Sequence, residues 1–357
     1  MTEAHINRIA TAVPPYDVHQ AFVQFGRSLL THDERRSALF ERMVDRAEID
    51  HRYSYLSPNE RADQGGMSAI DFYTRKSFPS TGARMKLFED QAPMLAEIAI
   101  GRLNLRPEER ARLTHILISC CTGFSAPGLD LEIMKRCGLP GSMERSIIGF
   151  MGCYAAINTL KLARHIVRSE PHARVLVINL ELCSLHLKET SNLDEILSFL
   201  IFGDGCAASI VTAEPVGLAL DSFRAVLVPD THDLITWHIG DTGFDMILSG
   251  QVPGAILEAL RKGAGEILDG APVSAFDLWA VHPGGRSVLD AVERAFDLRS
   301  NTLSASRSIL RRFGNMSSAT VMFVLETMLR ASAQTRGCAM SFGPGLIAET
   351  MLFHGTG

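Results

Sequence analysis

The sequence places one cysteine, Cys153, at the change from a short apolar run to a helical pattern. The run ends at Gly152, and the apolar residues after it recur every three or four positions, as on a helix with one buried face. The residues of this stripe are Ala156, Leu160, Ala163 and Val167. We therefore predict Cys153 in the first turn of a buried helix, where free backbone N–H groups and the helix dipole favour a thiolate. A thiolate there would attack a carbonyl carbon.

The end of a helix does not by itself ionise a thiol at neutral pH. Lowering a thiol pKa by about two units requires roughly 2.7 kcal/mol of preferential stabilisation of the thiolate. A helix N-terminus supplies about 0.3–1 kcal/mol, and up to roughly 2 kcal/mol when it is partly buried. A catalytic Cys153 therefore needs a second partner, and a histidinium would serve. The alternative is a structural cysteine, because free cysteines are among the most buried residues.

Two further polar residues stand at similar turns. His282 follows the predicted strand 276–281, and Asn315 precedes the predicted helix 317–331. Ligand-binding side chains of α/β sheets gather at the carboxyl ends of strands, so we expect Cys153, His282 and Asn315 to meet there. They would serve as nucleophile, its imidazolium partner and a hydrogen-bond donor to a developing oxyanion. Singly, His282 also fits a histidine near the core, and Asn315 fits a helix cap.

Strand and helix patterns alternate along the chain. Predicted strands span 6–13, 115–122, 174–180, 206–212, 276–281, 339–342 and 347–353, and predicted helical regions span 19–50, 81–108 and 317–331. The strand, turn and helix around Cys153 have a counterpart in the second part of the chain. The sequence therefore predicts an α/β protein of two similar halves, residues 1–215 with the cysteine and residues 216–357 with His282 and Asn315. The repeat is one of pattern and does not extend to residue identity.

Composition restricts the class of protein. The 357 residues are 46% hydrophobic and 21% charged, with a net charge of −5, which gives no reason to expect nucleic acid or an anionic membrane as partner. Seven cysteines without a CxxC pair predict neither a disulfide framework nor a zinc site. The N-terminal residues lack a signal-peptide pattern, and no run of about 18 apolar residues predicts a membrane span. We expect a cytoplasmic protein.

A basic group lies in the first helical region. Arg42 and Arg46 are four residues apart, hence on one helix face, and Arg52 follows shortly after. Arg42 and Arg46 could bind phosphate together, although a solvated surface explains these arginines as well.

Several motifs carry a family resemblance. They are Gly152-Cys153-Tyr-Ala, Phe202-Gly-Asp-Gly, His282-Pro-Gly-Gly, Gly314-Asn-Met-Ser-Ser-Ala and Phe342-Gly-Pro-Gly-Leu. In this order, and over essentially the whole chain, the sequence resembles type III polyketide synthases, the chalcone synthase superfamily. The combination of the third and fourth motifs is specific to that group.

The resemblance implies a thiolase-like, five-layered αβαβα fold of two duplicated halves, and a homodimer. It implies acyl-CoA and malonyl-CoA as substrates, with no metal or redox cofactor. Cys153 would carry the acyl chain, while His282 and Asn315 would drive decarboxylation of malonyl-CoA. Phe202 would be a gate between the CoA tunnel and the cavity. The resemblance further implies that Arg42 and Arg46 bind CoA, although Leu39 stands at a third position that is usually basic. It also implies that the loop of Gly343, Pro344 and Gly345 shapes the cavity wall.

Other predicted cavity residues depart from the plant enzymes. Cys121, Cys183 and His186 replace threonines, Trp237 replaces glycine, and Met246 replaces a second gating phenylalanine; Leu185 and Ser317 complete the predicted lining. The run 181–185 is more similar to microbial members that make alkylresorcinols or alkylpyrones from fatty acyl-CoA. We therefore expect such a starter and product, with Trp237 redirecting a long chain. Cys183 alternatively packs against the neighbouring strand.

Three other functions remain as alternatives. A ketoacyl synthase III-like enzyme would use the same three residues for a single extension. A Cys-His-Asn hydrolase is more distant, because the signature around a papain-type cysteine is missing. A non-enzymatic scaffold would not need a complete set of nucleophile, base and donor.

Overall fold

The computed structural model describes residues 2–30, 32–58, 72–73 and 76–357. The strands are β1 (His5–Ala12), β2 (Tyr16–Asp17), β3 (Tyr53–Ser54), β4 (His115–Cys120), β5 (Glu144–Gly149), β6 (Val175–Leu182), β7 (Asp204–Thr212), β8 (Leu218–Leu227), β9 (Ile235–Gly240), β10 (Gly243–Leu248), β11 (Leu278–Val281), β12 (Arg336–Gly343) and β13 (Ile347–Gly355). The helices are α1 (His19–Leu29), α2 (Glu34–Ala47), α3 (Thr81–Arg102), α4 (Pro107–Ala111), α5 (Leu129–Arg136), α6 (Ala155–Ser169), α7 (Leu193–Ile201), α8 (Val252–Ile267), α9 (Arg286–Phe296), α10 (Ser304–Phe313) and α11 (Thr320–Met328). Short 3-10 turns span Cys183–His186, Val273–Ala275 and Ser317–Ala319.

One sheet of nine strands runs through the molecule in the order β5-β4-β6-β7-β1-β8-β13-β12-β11. The first five strands belong to the first half of the chain and the other four to the second. The halves join at β1 and β8, which pair only through His5 with Ala219 and Ile6 with Leu218. Parallel pairs lie toward both ends of the sheet, and antiparallel pairs lie nearer the junction. The predicted division between residues 215 and 216 falls between β7 and β8 and stays a prediction.

Two helices fill the space between the half-sheets. The predicted apolar stripe of α6 is fully buried, and α6 packs against β4 and β6 of the first half and β13 of the second. The apolar helix α11 lies in the same core, which includes residues of both half-sheets. Helices α3 and α5 cover the outer face of the first half, while α8 and α9 cover that of the second. These five layers of helix and sheet are the αβαβα fold that the resemblance implied.

A separate hairpin, β9–β10, lies over the site end of the first half. Only glycine fits at position 243, because its φ is +98° and a Cβ atom would lie 2.8 Å from Nη1 of Arg84. Arg84 in turn donates to the carbonyl oxygens of Leu185 (2.6 Å) and Leu187 (2.9 Å). The hairpin is therefore held against the segment that follows β6.

The predicted helical region 19–50 is two helices, α1 and α2. Asp33 starts the second, because its side chain accepts a hydrogen bond from the backbone N–H of Arg36 at 2.9 Å. Among the described residues, no helix has the length and apolar character that crossing a membrane requires.

Candidate active site

Cys153 lies in the turn between β5 and α6. It precedes Tyr154, the N-cap of α6, so it stands just before the helix rather than inside its first turn as predicted. The turn has left-handed backbone at Phe150 (φ +59°) and Gly152 (φ +81°). A Cβ atom at position 152 would lie 2.5 Å from Cδ of Pro344, so a glycine there lets the 343–345 loop approach the cysteine.

Asn315 joins the cysteine to the histidine loop. Its Nδ2 donates to the carbonyl oxygen of Gly284 at 3.2 Å, and its side chain acts to lower the pKa of the Cys153 thiol. Its Oδ1 accepts from the backbone N–H of Ser317 at 2.8 Å, which fixes the orientation of the carboxamide. The carboxamide therefore links the turn of Cys153 to the loop that begins at His282. Asn315 was expected with the other two residues at the carboxyl ends of strands, but it lies in the turn between two helices, α10 and α11.

His282 follows β11 directly, and its backbone N–H donates to the carbonyl oxygen of Met340 at 2.8 Å. The imidazole is buried, and neither ring nitrogen has a hydrogen-bond partner among the described residues. Burial lowers the pKa of His282 to about 3, so the ring is neutral. A buried polar group without a partner costs about 1–3 kcal/mol, and such groups persist where a substrate supplies the missing contact.

The thiol of Cys153 is protonated in this environment. Burial, together with the charge of Glu181, raises its pKa to about 12, although the side chains of Ser317 and Asn315 act to lower it. The position beside the helix N-terminus favours a thiolate, but the loss of solvation outweighs that effect. Ionisation of Cys153 therefore requires a base that takes the proton as the reaction proceeds.

A mainly apolar cavity surrounds Cys153 and has a volume of about 40 Å3. Its lining residues are Cys121, Thr122, Gly152, Cys153, Cys183, His186, Phe199, Phe202, Ile235, Trp237, Met246, Ser317 and Pro344. Eight of the residues predicted for the cavity and its gate are in this set. They are Cys121, Cys183, His186, Phe202, Trp237, Met246, Ser317 and Pro344.

Leu185 does not line this cavity, which corrects the prediction. It lies in the 3-10 turn Cys183–His186, where residues three apart share a side. Cys183 and His186 therefore both face the cavity, whereas Leu185 packs into the core on the outer face of the first half. Gly343 and Gly345 are also absent from the lining. Gly343 instead allows close packing, since a Cβ atom there would lie 2.7 Å from Cδ1 of Tyr154.

His186 and Trp237 form a rigid part of the wall. The Nε2 atom of His186 lies 2.8 Å from the carbonyl oxygen of Thr122, and Nδ1 accepts from the backbone N–H of Phe244 at 3.0 Å. These bonds assign a neutral ring with the proton on Nε2, and burial lowers its pKa to about 3. The ring stacks on Phe244 at 4.2 Å. The indole N–H of Trp237 donates to the carbonyl oxygen of Cys121 at 2.8 Å, which ties the β9–β10 hairpin to the cavity.

Glu181 is a site residue that sequence reasoning missed. It is fully buried, and its carboxylate accepts hydrogen bonds from the Thr122 hydroxyl (2.9 Å), the Ser318 hydroxyl (2.6 Å) and the backbone N–H of Cys121 (2.9 Å). Burial raises its pKa to about 7. An acidic residue within an apolar strand pattern was the available signal, because acidic side chains are rarely buried without a function or a partner.

A second cleft, of about 630 Å3, opens on the other side of α7. Leu197 and Ile201 of α7 line this cleft, whereas Phe199 lines the cavity of Cys153. Arg46 lines it together with Arg286, which the sequence did not single out. Arg42 is exposed, donates to the carbonyl oxygen of Ala38 at 3.3 Å, and is not part of the lining.

A possible metal-binding group lies outside this site. Ligand atoms of His115, Glu144 and Glu170, at the starts of β4 and β5 and the end of α6, are all within 4.8 Å of one another. Both carboxylates are exposed, and none of the three residues lines the cavity around Cys153.

Comparison with known families and proteins finds similarity over nearly the whole chain. The family model for the N-terminal domain of chalcone and stilbene synthases matches residues 2–215, and that for their C-terminal domain matches residues 219–357. The α-pyrone synthesis polyketide synthase-like Pks18 of Mycobacterium tuberculosis is 32% identical, over 99% of this chain and 91% of its own length.

Solved structures agree with this result. PKS-I of the brown alga Ectocarpus siliculosus is 28% identical with a TM-score of 0.86, and 99% of each chain is covered. The C-terminal type III polyketide synthase domain of Steely1 from Dictyostelium shares the fold, with a TM-score of 0.88 at 22% identity and coverage of 99% of this chain and 100% of that domain. The chain therefore belongs to the chalcone and stilbene synthase family, and it is a type III polyketide synthase, an acyltransferase.

Proposed function

We propose that this enzyme extends a fatty acyl-CoA starter with malonyl-CoA units on Cys153 and releases an alkylpyrone or an alkylresorcinol. The apolar cavity directly around the thiol is the observation that carries this proposal. An alkyl chain gains about 0.8 kcal/mol for each methylene that it buries in such surroundings. The similarity to Pks18, whose name refers to α-pyrone synthesis, favours the pyrone.

The CoA portion would bind in the cleft beside α7. Arg46 and Arg286 line that cleft and are suited to phosphate groups. Gly284 and Gly285, from the loop of His282, line it as well, so a thioester at its inner end would approach the histidine. Arg42 is proposed as a second phosphate ligand, since it projects from the same helix one turn earlier. Phe202 would act as the gate between cleft and cavity.

Loading of the starter begins with the Cys153 thiol. Its proton passes to His282 as sulfur attacks the thioester carbonyl, so thiolate and imidazolium form together. The C–S bond to CoA then breaks, and the CoA thiolate takes the proton. A side-chain N–H of Asn315 stabilises the oxyanion formed between these steps.

Extension uses the same donors for a second substrate. Malonyl-CoA loses CO2, and the electron pair of the broken C–C bond forms an enolate. Asn315 and the N–H of His282 hold its oxygen in a site with little water. The enolate carbon attacks the Cys153 thioester, which forms the new C–C bond and releases the thiolate. Because the loss of CO2 drives this step, we propose that no metal or redox cofactor takes part.

The narrow cavity bears on how a long chain fits. A volume of about 40 Å3 is too small for a long acyl chain, so such a chain must displace side chains. Met246 is suited to this, because its unbranched side chain repacks easily. Trp237 is held by its hydrogen bond and would direct the chain rather than move.

We also propose a homodimer in the cytoplasm. Strand β5 is an edge of the sheet with exposed residues, and Ile147 is 45% exposed on it. Phe124 is a second exposed apolar residue at this edge, since its ring lies 5.6 Å from that of Phe150, which follows β5 directly. An unpaired edge of this kind is suited to pairing with a second copy. Unpaired thiols at all seven cysteines support a reducing compartment.

The test is to incubate the purified enzyme with malonyl-CoA and starters from acetyl-CoA to arachidoyl-CoA, and to identify products by mass spectrometry. We expect pyrones or resorcinols after several extensions, with a preference for long starters. Cys153→Ala should abolish the acyl-enzyme adduct, and an adduct on another cysteine would contradict the assignment. Products that stop after one extension would instead support the ketoacyl synthase III-like alternative.

A further inference from the structure

Arg52 is a buried arginine at the boundary between the cleft and the cavity. In the sequence it follows Arg42 and Arg46, the predicted phosphate-binding pair, but its side chain is fully buried. Its guanidinium lies at the C-terminal end of α7. There Nη1 donates to the carbonyl oxygens of Phe199 and of Phe202, the latter at 3.1 Å.

These two bonds bear on the position of Phe202. The last carbonyl groups of a helix have no partner within it, and a positive charge at this end also interacts favourably with the helix dipole. Arg52 meets both needs for α7 in a region closed to water. The residue that leaves the helix at this point is Phe202, whose ring lines the cavity of Cys153.

The same end of α7 also positions Asn315. A parallel backbone bridge pairs Phe202 with Asn315. The backbone N–H of Asn315 donates to the carbonyl oxygen of Ile201 at 2.8 Å, and its carbonyl accepts from Gly203 at 3.0 Å. The aliphatic stem of Arg52 fits against this bridge. A Cβ atom at Gly314 would lie 2.8 Å from its Cγ, and one at Gly203 would lie 3.4 Å from its Cβ.

The remaining contacts fix the guanidinium plane. Nε donates to Nδ1 of His19 at 3.0 Å, Nη2 donates to the His19 carbonyl at 3.4 Å, and the group lies over the Phe22 ring at 5.1 Å from its centroid. These hydrogen bonds go to carbonyl groups and an imidazole. The carboxylates of Asp17 and Asp204 affect the guanidinium only through their charges, which act to raise its pKa. Such a planar set of donors cannot be reproduced by lysine, which has one ammonium group.

We propose that Arg52 is a positioning residue that holds the Phe202–Asn315 bridge in the geometry needed for decarboxylation of malonyl-CoA. It acts through Asn315 and Phe202 and does not contact substrate. The inference rests on the proposed role of Asn315 as a donor to the enolate. Without the guanidinium, the end of α7 loses two hydrogen bonds, and the bridge loses the stem that it packs against.

The experiment measures malonyl-CoA decarboxylation and the thermal unfolding of Arg52→Ala, Arg52→Lys and Asn315→Ala. We expect Arg52→Ala to lower kcat about tenfold or more with little change in KM, because a small displacement of a donor is costly in the transition state. Millimolar guanidinium chloride should restore part of this loss, whereas an equal concentration of sodium chloride should not. Arg52→Lys should show a smaller loss, since it keeps the charge without the planar donors.

Arg84→Ala is the matched control. Arg84 is equally buried and also binds backbone carbonyls, but those of Leu185 and Leu187 after β6 instead of those at the C-terminal end of α7. The Arg84→Ala variant should have a lower thermal stability than the wild type but a kcat within about threefold of the wild-type value, and guanidinium should not change that kcat. A folded Arg52 variant with kcat within that range, or equal losses in both arginine variants, would overturn the positioning role. If Arg52→Ala does not fold, the test uses Arg52→Lys, and a kcat of that variant within about threefold of the wild-type value would overturn the positioning role. Undiminished decarboxylation by Asn315→Ala would instead refute the proposed function of that residue.

Discussion

At the scale of single residues, burial drives the pKa values of Cys153 and His282 apart. It raises the first to about 12 and lowers the second to about 3, so neither charge is stable alone. Opposite charges created together in a site of low dielectric constant attract each other strongly. The proton is therefore expected to move from sulfur to the imidazole during attack on the thioester, not before it.

Glu181 should set the reactivity of this thiol at alkaline pH. Its pKa is about 7, so at higher pH its negative charge opposes ionisation of Cys153. We expect Glu181→Gln to speed alkylation of Cys153 by iodoacetamide at about pH 8 several-fold, because the rate follows the thiolate fraction. Peptide mass spectrometry measures the modification at this position.

Asp204→Asn is the control for that measurement. Asp204 is another buried carboxyl group whose pKa burial raises to about 7, but it is not among the groups that affect Cys153. This variant should leave the alkylation rate unchanged. Equal acceleration in both variants would show a general loosening of the fold instead.

Trp237 should govern which chains the cavity accepts. Trp237→Gly removes the indole from the wall without touching Cys153, His282 or Asn315. We therefore expect a changed range of starters or products, with malonyl-CoA decarboxylation retained, as measured by mass spectrometry of the products. Trp237→Phe keeps a ring but loses the bond to the Cys121 carbonyl, so it separates cavity volume from hydrogen bonding. An unchanged product profile in both variants would exclude Trp237 as a determinant.

At the scale of elements, two helices have distinct tasks. Helix α7 separates the cleft from the cavity, so in the proposed binding mode side chains on its two sides would meet different parts of an acyl-CoA. Helix α6 carries no side chain into the cavity but fills the space between the half-sheets, immediately after Cys153. The position of the nucleophile thus depends on the packing of the central layer.

The Leu160→Ala variant tests how much the packing of α6 contributes to the free energy of unfolding. Leu160 is fully buried between the two half-sheets, so Leu160→Ala should lower the free energy of unfolding by about 2–5 kcal/mol. Denaturant unfolding provides the measurement. The control is Leu227→Ala on β8, where the side chain is 63% exposed and the change should stay within about 0.5 kcal/mol. Equal midpoints for the two variants would contradict the central role of α6.

At the scale of the whole molecule, two kinds of buried group act on stability in opposite directions with pH. Glu181 and Asp204 keep protons in the folded state up to about pH 7, so their contribution is present below the unfolded pKa and lost as pH rises through 7. His19, His186 and His282, with pKa values of about 4, 3 and 3, contribute above the unfolded value of 6.5 and lose this as pH falls. Maximal stability is therefore expected between these limits.

The Glu181→Gln variant isolates the contribution of Glu181 to the pH dependence of stability. The pKa of Glu181 rises from 4.5 in the unfolded chain to about 7, so ionising it in the folded protein costs stability above that pH. Relative to the wild type, the variant should gain up to about 3 kcal/mol in unfolding free energy between about pH 5 and pH 8. Denaturant unfolding at both pH values measures this change. A difference that does not depend on pH would show that Glu181 does not titrate in that window.

Local patterns in the sequence predicted much of the site. A glycine before a nucleophile, a histidine after a strand and an asparagine before a helix are features of neighbouring residues. The stripe of α6 was likewise correct, because its spacing follows from helix geometry alone. Leu185 was misplaced because its neighbours Cys183 and His186 lie in a 3-10 turn that residue types did not reveal.

The sequence by itself determined the family, the layered fold and the residue types at the centre of the chemistry, because turns and helix faces are encoded locally. Only the tertiary structure decided what surrounds them. Glu181 meets Ser318 across 137 positions of the chain, and Arg52 meets Phe202 across 150. Contacts between residues so far apart leave no periodicity in the sequence. Loss of solvation, which decides the charge of Cys153, His282 and Glu181, depends on everything packed around a group and so appears only once the layers are assembled.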